Sequence, residues 1–170
     1  MAGSRRDALL LGLLLVGALA HLGAYHAALP ERVASHFDAS GRPDGWMAKD
    51  AFTTVAVVTY LVTGGLFLAL GRFLPTLPPG LVNLPNREHW LAPARRAETM
   101  EDLTRRLMRM GAATMVLLIA VFHQTILANL EPGGTLRGAW VLLAAYGLYT
   151  VIWCVGLVRR FRRPPDAGRP

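Results

Sequence analysis

Apolar residues in this chain come in four long runs, and most of its charged residues collect between them or at the ends. The runs are Ala8 to Leu29, Ala51 to Leu74, Gly111 to Leu130 and Ala139 to Val158. A helix rises 1.5 Å per residue and the hydrocarbon core of a bilayer is about 30 Å thick, so about 20 mostly apolar residues suffice to cross it. Each run meets that length. Pro30, Pro75 and the sequence Glu131-Pro132-Gly133-Gly134 end the first three, because proline removes a helix donor and glycine releases the backbone. The pattern predicts an all-α integral membrane protein, a single domain over residues 1–170 built as a four-transmembrane-helix bundle. Small residues at Gly17, Ala20, Ala24, Gly64, Gly65, Ala144, Ala145 and Gly147 are the expected helix contacts. Between the spans lie a loop over residues 30–50 and a longer one over 75–110, and a basic tail covers 159–170.

The charge balance changes the picture in one respect. Lys and Arg number 18 against 11 Asp and Glu, a net charge of +7. In a soluble chain that excess would suggest nucleic acid. Here the cations flank apolar runs, where they set orientation, and no nucleic-acid partner is expected. Only Arg32, Arg42, Lys49 and Arg137 fall on one side of the predicted membrane; all other basic residues fall on the opposite side. The positive-inside rule makes the richer side cytoplasmic, with both termini inside and residues 30–50 outside. Trp46 and Trp140 then sit at the outer interface. The first run also resembles a secretory signal, since Arg5-Arg6 precede it and Ala18-Leu19-Ala20 offers a small-residue cleavage site. Its continuation past Ala20 favours a retained span. Cys154 stands alone, so it has no intrachain disulfide partner, and it is expected as a small buried side chain.

The 30–50 loop carries turn chemistry at Gly41, Pro43 and Asp44-Gly45, which predicts a compact segment. Its charges nearly cancel, with Arg32, Arg42 and Lys49 against Glu31, Asp38, Asp44 and Asp50, and internal pairing is expected. Leu29-Pro30 through His36, Gly41, Asp44-Gly45-Trp46 and Lys49 resemble a bacterial domain of unknown function that forms the N-terminal part of SdpI-like membrane proteins, the immunity proteins against a sporulation-delaying peptide toxin. A second stretch, Asn83 to Pro93 with Asn86, Arg87, Glu88, His89 and Trp90, followed by Arg95-Arg96, is similar to sequence in shorter members. The resemblance spans about Leu29 to Arg96. The longer proteins carry an additional C-terminal membrane domain that this chain does not match. The resemblance implies a non-enzymatic protein of the bacterial inner membrane with no cofactor. It also implies immunity to or sensing of an extracytoplasmic peptide, with His36, Asp38, Gly41, Asp44, Gly45, Trp46 and Lys49 as the loop candidates.

From Pro93 onward Met100, Leu103, Leu107 and Met110 recur at helical spacing, with Glu98, Glu101, Asp102, Arg105, Arg106 and Arg109 between them. This predicts an amphipathic helix leading into the third span. Its arginines would meet anionic lipid headgroups. With Arg159 to Arg163 of the tail they would alternatively dock a cytoplasmic regulator, as the resemblance implies. His89-Trp90 is expected as an interface anchor.

Polar side chains inside the spans form the remaining candidates. His21 lies eight residues before Leu29 and His123 seven before Leu130, which places both roughly 10 to 12 Å below the same boundary. They are expected at a depth where they can meet, with Tyr25 one turn from His21 and His26, Gln124 and Asn129 nearby. Interhelical hydrogen bonding is one reading. A zinc site drawing on His21, His123, His36 and Asp38 is a second, and the polar path of a small transporter or transporter accessory subunit a third. A metal-dependent membrane enzyme using His36 as base and Asp38 as its orienting carboxylate is a further alternative. No HExxH spacing occurs, and His21 and His26, five residues apart, point about 140° away from each other around a helix.

Overall fold

A computed structural model describes residues 2–162 of the chain. Arg163 and Arg169 of the basic tail lie outside the described residues. The elements are α1 (Ala2–His26), β1 (Arg32–Phe37), β2 (Pro43–Ala48), α2 (Lys49–Phe73), two 3-10 turns (Leu74–Thr76 and Pro79–Leu81), α3 (Arg87–Trp90), α4 (Pro93–Leu130) and α5 (Ala139–Arg162). Helices α1, α2, α4 and α5 are each long and apolar enough to cross a membrane. The chain is a mostly helical, multi-pass membrane protein.

Three of the four long helices make the core. Leu11, Ala18 and Leu22 of α1 pack with Phe52, Ala56 and Tyr60 of α2 and with Met108, Met115 and Ile126 of α4. Leu29 and Val33 close its hairpin end. Removing residues 1–20 would therefore strip Leu11 and Ala18 from a packed centre. Helix α5 contributes nothing to this cluster and packs chiefly on α4. Directed hydrogen bonds join that pair: Thr114 Oγ1 lies 2.8 Å from Tyr146 Oη, and Trp153 Nε1 donates to the Arg106 carbonyl at 3.1 Å. In lipid such bonds and close packing must hold helices together, because apolar surface gains little by leaving hydrocarbon.

Several expectations need correction. Of the eight small residues expected at helix contacts, only Gly64 is buried, against Leu15; the other seven lie on the outer surface. The tight approaches are at Gly71, against Met108, and at Gly111, where a Cβ would stand 2.6 Å from the Phe67 ring. Cys154 is exposed rather than buried. The cause is common to both errors. A helix apolar all round has no polar face to mark its outside, so composition cannot choose the face that turns inward. The amphipathic segment, by contrast, leads into the third span as expected: α4 runs continuously for 38 residues through Gly111. Buried Thr104 avoids an unmet hydroxyl by donating to the Met100 carbonyl at 2.8 Å.

The 30–50 loop is an antiparallel hairpin. Arg32 pairs with Ala48, Val33 with Met47 and Ala34 with Trp46, and a bulge between Ala34 and His36 then sets His36 opposite Gly45. Val33 and Met47 face the bundle, while Arg32, His36, Asp44 and Trp46 face away from it. Gly41 turns the chain with φ +79°, and its missing side chain leaves room for the Leu136 carbonyl from the α4–α5 connection.

Candidate functional site

The hairpin is fastened to the bundle at both ends of its length. Asn129, near the end of α4, accepts from the Ala34 amide at 2.7 Å and donates to the Ala34 carbonyl at 2.9 Å. At the tip, the Leu136 amide donates to the Gly41 carbonyl at 2.8 Å, and Trp140 Nε1 donates to the Ala39 carbonyl at 3.1 Å. Asn129 is thus a fastening of the hairpin rather than a side chain facing the histidines.

Within the hairpin Lys49 and the carboxylates find local partners, whereas the Arg32 and Arg42 side chains make no ion pair among the described residues. Lys49 Nζ donates to Glu31 at 2.8 Å and His36 Nδ1 lies 2.6 Å from Asp44. Asp38 accepts from Ser40 through both its amide and its hydroxyl, and from the Arg42 amide. These contacts stabilise the charged carboxylates: the Ser40 hydroxyl and the Arg42 amide hold the Asp38 carboxyl below its ordinary range, and Lys49 does the same to Glu31. His36 therefore pairs with Asp44, across the strands, and not with Asp38, whose oxygen is spent on the turn. What the hairpin leaves uncommitted is Trp46, 52% exposed on its outward face.

The edge of the hairpin is also distinctive. The Lys49 amide donates to the Glu31 carbonyl at 3.0 Å, so the hydrogen-bonded pairs are Glu31 with Lys49 and, two residues on, Val33 with Met47. Ala34 and Trp46 form the alternate kind of pair. Ala34 turns its amide and carbonyl outward to Asn129, and Trp46 turns its own toward the opposite, unpaired edge.

Beneath the hairpin the structure brings His21 and His123 together, His21 Nε2 lying 3.1 Å from His123 Nδ1. The Tyr25 ring packs against both, with centroids 4.9 and 6.0 Å away. One imidazole must present a lone pair where the other presents N–H, so the contact holds one proton between them. His21 Nδ1 is buried without a partner. His26 belongs elsewhere, 2.9 Å from Thr53 Oγ1 and 3.7 Å from Asp50. Gln124 is half-buried beside Gly138. Among the described residues no three His, Cys, Asp or Glu side chains converge to hold a metal ion, and the four zinc candidates fall into three separate contacts: His21 with His123, His36 with Asp44, and Asp38 with Ser40.

At the other end of the bundle the second motif has a use that its sequence did not reveal. Asn86 Nδ2 donates to the Phe161 and Arg162 carbonyls at 3.2 and 2.8 Å, and Trp90 Nε1 donates to Phe161 at 2.9 Å. Together they cap the last turn of α5, whose final carbonyls have no intrahelical donor. Trp90 is buried, not an interface anchor, with the Arg160 guanidinium 4.6 Å from its ring centroid. Asp102 draws Arg105, Arg106 and Arg160 to 3.1, 3.2 and 3.5 Å. Arg96 donates to the Leu77 carbonyl at 2.8 Å, and Pro93 opens α4, where its lost N–H costs nothing. Arg87, Glu88 and Arg95 remain on the surface, and His89 stacks edge-on against Trp90.

Residues 12–62 match a family described as a domain of unknown function, DUF1648. The match takes in most of α1, the whole hairpin and the first half of α2, and stops short of the Asn83 to Pro93 motif. No curated protein and no solved structure matches the chain.

Proposed function

We propose that this is a non-enzymatic, SdpI-like protein of the bacterial cytoplasmic membrane, with both termini inside, whose hairpin receives an extracytoplasmic peptide for immunity or sensing. The observation that carries the reading is Trp46: a large aromatic held outward on a frame fastened at Ala34, Ala39 and Gly41. A rigid exposed tryptophan is an effective binding anchor because little conformational freedom is lost when it is covered. Its amide and carbonyl lie on the unpaired strand edge, so an extended peptide can add there by main-chain hydrogen bonds while covering the indole. The His36–Asp44 pair beside it supplies polar selectivity.

The test is membrane depolarisation in cells challenged with a sporulation-delaying-type peptide toxin, comparing empty vector, wild type and Trp46→Ala at equal expression. Protection by wild type and its loss in the variant is the expected result. A variant that protects as well as wild type overturns the role of the loop.

A second reading, a small transporter or its accessory subunit, is favoured by the His21–His123 contact and the partnerless His21 Nδ1. It requires that His123→Ala abolish a pH-driven solute flux in proteoliposomes while Trp46→Ala leaves that flux intact.

A further inference from the structure

At the arginine-rich end, a groove of about 1100 Å³ opens between the start of α1, the end of α2 and the first turns of α4. Arg5, Arg72 and Arg96 line it, one from each helix. They are far apart in sequence, and only the bundle gathers them. Arg5 and Arg72 are exposed, and no carboxylate among the described residues pairs with either; Arg96 uses one terminal nitrogen on Leu77, and its Nε is buried without a partner. Glu98 and Glu101 stand on the α4 rim of the same groove. A second cavity, of about 330 Å³, shares Arg5 and Arg72 with the groove and continues along Ala8, Leu68 and Met108, an apolar lining between the spans.

We propose that this groove is a discrete binding site for an anionic phospholipid. The three guanidiniums suit a phosphate, which accepts several N–H donors at once, and the apolar continuation suits an acyl chain. A free phosphate ion would satisfy the arginines but leave that lining unfilled, so the lipid is the better match. The location agrees with this. Arg5 and Arg72 each lie near the end of a helix long and apolar enough to cross a membrane, where headgroups are expected, and Arg96 reaches the same groove from the first turns of α4, which extend beyond its apolar run. The groove differs from the surface arginines in having walls: Gly71 borders both cavities, and Pro75 and Pro93 fix the backbone around it. It is also independent of the hairpin and of the direction in which the chain is inserted.

Native mass spectrometry of the full chain tests the assignment, with phosphatidylglycerol and phosphatidylcholine of the same acyl chains added in equal amounts. Wild type is expected to retain one phosphatidylglycerol per chain in preference to phosphatidylcholine. Each arginine near an anionic headgroup contributes about 1 kcal/mol, about fivefold, so Arg5→Gln/Arg72→Gln/Arg96→Gln should weaken retention by roughly a hundredfold. Ala97→Trp, which fills the groove without altering charge, should weaken it as well, and it decides the matter if the triple variant does not fold. Arg32→Gln/Arg42→Gln at the hairpin end should change nothing. Equal retention of both lipids, or undiminished retention by Ala97→Trp, overturns the proposal. Displacement of the lipid by millimolar inorganic phosphate would overturn it too, by showing that the acyl chain contributes nothing.

Discussion

The two polar ends of this bundle use their side chains in opposite ways. At the arginine-rich end the conspicuous residues are spent inward: Asn86 and Trp90 cap α5, and Asp102 gathers three arginines. At the hairpin end Asn129, Trp140 and Gly41 fasten the loop, but Trp46 is left facing out. The difference separates two motifs that look equally suggestive in sequence. Polar groups closing a helix end explain themselves structurally, since a final carbonyl without a donor is costly when buried. An aromatic that satisfies no such need, on a frame made rigid around it, is the better candidate for a partner.

The largest effect should come from Trp90→Ala. It removes a buried indole, its bond to Phe161 and the platform beneath Arg160, and loss of a buried Trp costs about 3 to 5 kcal/mol. Limited proteolysis near Arg159 to Arg162 should become rapid while the hairpin stays protected. If the hairpin loosens equally, the two ends are coupled and the contrast between them fails.

Asn129→Ala should act at the opposite end and more mildly. It leaves the Ala34 amide and carbonyl without their partner, a loss of about 1 to 3 kcal/mol. Faster hydrogen exchange confined to residues 32–48 is the expected readout, and peptide-dependent protection should fall with it. Retention of wild-type exchange in the hairpin would mean that the tip contacts alone hold it.

Acidification should have the smallest effect. Asp38 and Glu31 are held below their ordinary values, so their contribution to the folded hairpin is complete above the carboxylate range. It is lost only as the pH falls below that range and through their lowered folded values. Amide exchange at Ser40 and Arg42, corrected for its intrinsic dependence on pH, should therefore rise at strongly acid pH and stay flat from neutrality down to the carboxylate range. A rise near neutral pH would assign the turn's stability to another group.

Four membrane-crossing helices were legible in the chain alone, because span length is a local property: apolar residues counted against the thickness of hydrocarbon. That His21 and His123 stand at one depth, where they could meet, followed from the same arithmetic, since a helix converts residue number directly into height; their contact is a result of packing. The hairpin was partly legible. Gly41, Pro43 and Asp44-Gly45 marked a turn, but the alternation at Val33, Ser35 and Phe37 on one strand is too short and, with the bulge within it, too irregular to announce a sheet. Only the tertiary structure decided which face of each helix turns inward, that Gly71 and Gly111 rather than Gly17 or Gly147 mark the close approaches, and that His36 pairs with Asp44 rather than Asp38. It also decided that Asn86 and Trp90 serve a helix end more than seventy residues further along. These are relations between segments. A helix apolar on all sides and a carbonyl that needs a donor constrain what must be supplied, but not which distant residue supplies it; packing makes that choice.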